Sequence, residues 1–113
     1  MMELKKHILW VDDEIDMLKP HILYLEKKGY KVTPVSTGQD AIHFCYEQPV
    51  DLVLLDEMMT GLDGLTTLKK IKEKYSSLPI IMITKNEEEW LMEEAIAAQI
   101  TQYLTKPVNP SQI

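Results

Sequence analysis

Along this chain, short apolar runs alternate with longer stretches whose apolar residues recur every three or four positions. The first run, Ile8–Val11, reads as a buried strand. From Glu14 to Lys28 the residues Ile15, Leu18, Ile22 and Leu25 keep helical spacing, and Gly29 follows where a helix commonly stops. Tyr30–Val35 reads as a second strand. Thr37–Glu47 reads as a second helix with Ala41, Ile42 and Cys45 on its inner face. Asp51–Leu55 carries an unbroken apolar run, the mark of a strand covered on both faces. Leu65, Leu68 and Ile71 set a third helix over Leu65–Tyr75, and Pro79–Ile83 is another doubly covered strand. Asn86 with Glu89 fits the capping box of a fourth helix, and Gln102–Thr105 reads as a fifth strand.

Strands separated by crossover helices predict an α/β fold: a doubly wound, five-stranded parallel sheet in the flavodoxin-like order 2-1-3-4-5. A single domain is expected over residues 1–113. A closing helix is expected to start near Asn109, with Pro110 suited to its first turn, but few residues follow. The final helix is therefore expected to be truncated and the chain to be an N-terminal fragment of a longer protein. The sheet face beside strands one and five is then expected to be half covered.

Composition narrows the partners. The net charge is −6, and the twelve basic residues are all lysines. Without Arg and with an acidic balance, direct nucleic-acid binding is not expected. A membrane surface is disfavoured for the same reason, and no run approaches spanning length. The single cysteine, Cys45, has no internal disulfide partner, which points to a reducing compartment, the cytoplasm.

In doubly wound sheets ligands sit beyond the carboxyl ends of the strands, so the residues there carry the chemistry. The first strand runs into Asp12 and Asp13, the third into Asp56, the fourth into Thr84, and the fifth into Lys106 and Pro107. Three crowded carboxylates favour protons or a divalent cation, and hard oxygen donors suit magnesium, Mg²⁺. A lysine and a hydroxyl on the same rim can balance a tetrahedral dianion, as phosphoryl transfer requires. Each residue alone has a plainer reading. Asp12–Asp13 suit a helix cap, Thr84 a turn, Tyr103 strand filler and Cys45 inert core. His7, His21 and His43 lie on separate elements without ligand spacing. The combination favours the metal and phosphate reading.

The stretches WVDDE, LLDEMMTGLDG, MITK and YLTKP, in that order on successive strand ends, resemble the marker motifs of the bacterial response-regulator receiver (CheY-like) domain. That resemblance implies a phosphorylation-controlled signalling domain rather than an enzyme. It implies Asp56 as phosphoacceptor from a sensor histidine kinase, and Asp13 as a direct Mg²⁺ ligand with Asp12 acting mainly through water. The backbone carbonyl of Met58 is implied as a further ligand. Thr84 and Lys106 are implied to contact the phosphoryl group, the Lys106–Pro107 bond to be cis, and Tyr103 to be the switch aromatic. A homodimer through helix four and strand five is the implied readout. Within the family, ILWVDDEID, MITKNEEE and KPVNP are most similar to Bacteroidota regulators that carry an alkaline-phosphatase-like (PglZ) effector.

Three positions depart from the family pattern: Thr60 where proline is usual, Met58 where a polar side chain is frequent, and Lys85 where a small residue is usual. Two other readings compete. A metal-dependent phosphohydrolase of the haloacid-dehalogenase kind needs an acid two residues after its nucleophile, where this chain has Met58. An unphosphorylated interaction module would lack a key residue, and none is missing. An FMN site is opposed by the acidic DDEID loop.

Overall fold

Successive side chains of a strand point to opposite faces, so an unbroken apolar run supplies two cores at once. The structure, a computed structural model, describes residues 6–14, 18–56, 64–84 and 102–105; for Thr84 and Gln102–Thr105 it describes the backbone alone. In chain order the elements are β1 His7–Val11, α1 Lys19–Lys27, β2 Lys31–Val35, α2 Gly38–Glu47, β3 Leu52–Asp56, α3 Gly64–Lys74, β4 Ile80–Thr84 and β5 Gln102–Thr105. All pairings are parallel, in the order β2-β1-β3-β4-β5.

The alternation is visible residue by residue. Leu9 and Val11 of β1, Val53 and Leu55 of β3, and Ile80 and Met82 of β4 face Ala41, Cys45, Leu68 and Ile71 of α2 and α3. Ile8, Trp10, Leu54, Ile81 and Ile83 point the other way, into a second core that takes in Leu25 of α1 and Val32 of β2. The half-covered face expected beside strands one and five falls in part on β5 side chains and the closing helix, outside the described residues; the five β1, β3 and β4 side chains described in this core are buried. The most exposed of those five, Ile81, shows 6% of its surface. The fourth helix expected from Asn86 also lies outside the described residues.

Helix α1 is described from Lys19, later than the expected Glu14, which lies in a turn; residues 15–17 lie outside the described set. Pro20 gives the physical reason. Proline has no N–H to donate and collides with the carbonyl four residues back, so it belongs in a first turn rather than mid-helix. The far end agrees with expectation: Gly29 takes φ 97°, the left-handed region open to glycine. Thr37 caps α2, its hydroxyl accepting from the Asp40 N–H at 3.0 Å.

Cys45 is 6% exposed within the first core. Burial pushes its thiol up to about 11, against about 8.5 for a free cysteine. The folded state therefore holds this proton more tightly than the unfolded chain. Its contribution to stability is complete below the free-thiol value and is lost as pH rises through the folded one. At pH 8 the native thiol should react with a disulfide reagent roughly a hundredfold more slowly than in urea-unfolded chain. Equal rates would show an accessible thiol.

Candidate functional site

Parallel pairing puts the carboxyl ends of β1, β3 and β4 side by side. Asp56 is the last residue of β3, directly opposite Ile83 of β4 and next to the Thr84 position. Val11 of β1 pairs with Leu55, so Asp12 leaves its strand level with Asp56. Asp12 and Asp56 are each 2% exposed, whereas Asp13 faces solvent. One carboxylate oxygen from each of the three lies within 4.8 Å of the other two.

Two buried carboxylates in such proximity are unfavourable in water-poor surroundings unless protons or positive charge join them. Part of the answer for Asp12 is local: its Oδ1 accepts from the Glu14 N–H at 2.8 Å. That contact stands in place of the helix cap that is the plainer reading of Asp12–Asp13. The N-cap of α1 is Leu18, with no side-chain cap bond. The donor set is all carboxylate oxygen, without His or Cys, and one member is open to solvent. This fits a hard divalent cation such as Mg²⁺, which keeps several waters, better than a softer metal.

Of the residues singled out in the sequence, the structure brings together Asp12, Asp13 and Asp56. It sets the backbone of Thr84 at the end of β4 and that of Tyr103 in β5, paired with Met82. Met58, Lys85 and Lys106 lie outside the described residues, as does the Lys106–Pro107 bond.

None of the three histidines belongs to the carboxylate group. His7 serves the opposite end of the sheet. Its backbone N–H donates to Asp51 Oδ2 at 2.7 Å, and its ring meets Phe44 edge-on at 5.4 Å. Its Nδ1 stands 3.0 Å from the Pro49 carbonyl, which can only accept, so Nδ1 carries the hydrogen. In the neutral ring Nε2 then accepts from the Thr33 hydroxyl, 2.7 Å away. This clamp was not read from the sequence. The available signal was a polar residue placed directly before each of two apolar runs, His7 before Ile8–Val11 and Asp51 before Leu52–Leu55.

Comparison with known proteins identifies the family and the fold. Residues 8–113 match the response regulator receiver domain family. The chain is 37% identical over 106 residues to the transcriptional regulatory protein ResD of Bacillus subtilis, covering 94% of this chain and 44% of ResD. It is 32% identical over 110 residues to the alkaline phosphatase synthesis transcriptional regulatory protein PhoP of the same organism, covering 97% and 46% respectively. The chain thus spans less than half the length of these curated relatives. Among solved structures, a CheY-like receiver domain protein from Methanospirillum hungatei superposes with a TM-score of 0.91 at 27% identity, over 96% of this chain and 87% of that one. The chemotaxis protein CheY4 of Vibrio cholerae does so at 0.89 and 26%, over 96% and 92%.

Proposed function

Because this chain belongs to the response regulator receiver domain family, we propose that it accepts a phosphoryl group on Asp56 from the phosphohistidine of a sensor histidine kinase and passes the signal on by changing its surface. The carboxylate group of Asp12, Asp13 and Asp56 at the carboxyl rim of the sheet carries this reading. Asp13 and Asp56 would hold Mg²⁺ directly, with Asp12 through water and the Met58 carbonyl as a further ligand. When bound, the cation supplies positive charge against the phosphoryl oxygens.

The chain's own residues divide the rest. A carboxylate oxygen of Asp56 attacks phosphorus, an oxygen–phosphorus bond forms, and the bond to the histidine nitrogen breaks. Sitting at the end of β3, Asp56 presents this oxygen from a strand fixed on both sides, which limits the orientations to be searched. Lys106 pairs with a phosphoryl oxygen, and Thr84 donates its hydroxyl by moving inward. That movement vacates space for Tyr103 and reshapes the surface of helix four and strand five, through which a homodimer forms.

Residues 1–113 constitute the receiver domain of a longer cytoplasmic response regulator. A PglZ effector downstream rests only on the resemblance of ILWVDDEID, MITKNEEE and KPVNP to Bacteroidota regulators that carry one; these residues do not themselves belong to an effector. ResD and PhoP are by their names transcriptional regulators, so a transcriptional output is the competing arrangement. Sequencing the gene downstream of codon 113 separates the two.

The mechanism is tested by incubating the chain with Mg²⁺ and acetyl phosphate. An acyl phosphate labile to hydroxylamine is expected; a hydroxylamine-resistant adduct would exclude an aspartyl product. Lifetime gives a second test. Met58 offers no hydrogen bond to an attacking water, so the native phosphoprotein should outlast the Met58→Asn variant. Faster decay of the native form would assign hydrolysis to another group.

A further inference from the structure

We draw no further inference here: the strongest candidate, the cleft at the amino-terminal ends of β3 and β4 lined by Tyr46, Val50, Tyr75 and Leu78, has both of its rim carboxylates already engaged, Glu47 with His43 and Asp51 with the His7 backbone, and nothing in the structure shows what covers its apolar floor.

Discussion

Replacing Asp56 by asparagine is expected to raise the melting temperature of the metal-free protein and to remove most of the stabilisation that Mg²⁺ confers on the native chain. The oxygens of Asp12, Asp13 and Asp56 lie within 4.8 Å of one another, and Asp12 and Asp56 are almost fully buried. At that separation two charges repel by on the order of 3 kcal/mol for an effective dielectric constant of about 20. Asp13, open to water, adds less. Asparagine keeps the shape of the side chain and discards one charge, so the repulsion falls without a cavity. It also removes a negative oxygen donor, which weakens binding of a hard cation. Thermal melts of both proteins with EDTA and with millimolar Mg²⁺ measure each effect. A variant less stable than the native chain in EDTA would mean that the three carboxylates are not in conflict.

Trp10→Ala is expected to cost about 3–5 kcal/mol, a large part of a typical total of roughly 5–15 kcal/mol. Trp10 is 2% exposed in the middle of β1 and packs with Ile8, Leu25, Val32 and Leu54. Its ring also meets His21 of α1 edge-on, with centroids 6.0 Å apart. Removing the indole leaves a hole between β1 and α1 that a rigid sheet cannot close. Trp10→Phe keeps an aromatic body there and should lose much less. Urea titrations followed by circular dichroism give both values. A loss below about 1 kcal/mol for the alanine variant would show that α1 does not depend on this residue.

The fold was legible because both periodicities are strong in this sequence. The runs Ile8–Val11 and Val53–Leu55 are apolar on both faces, and the structure buries them on both. The acidic part of the site was legible for a related reason: once strand ends are known, topology alone brings Asp12, Asp13 and Asp56 together. Boundaries were less accurate. Asp56 and Thr84 end their strands as expected, but the ranges Asp51–Leu55 and Pro79–Ile83 are each offset by one residue from Leu52–Asp56 and Ile80–Thr84, since ladder pairing continues for one residue past the last apolar side chain. The helical spacing of Ile15 and Leu18 points to an earlier start of α1 than the structure has, because Pro20 belongs in a first turn. The Asp12 to Glu14 contact and the His7 clamp escaped because side-chain to backbone hydrogen bonds leave no periodic trace.

The most direct measurement is the intact mass of the native chain and of Asp56→Asn after incubation with acetyl phosphate, each with Mg²⁺ and with EDTA. One added phosphoryl group is expected on the native chain with Mg²⁺ alone, and none in the other three samples. Phosphorylation of Asp56→Asn, or equal phosphorylation of the native chain in EDTA, would contradict the assignment of this carboxylate group as a metal-dependent phosphoacceptor site.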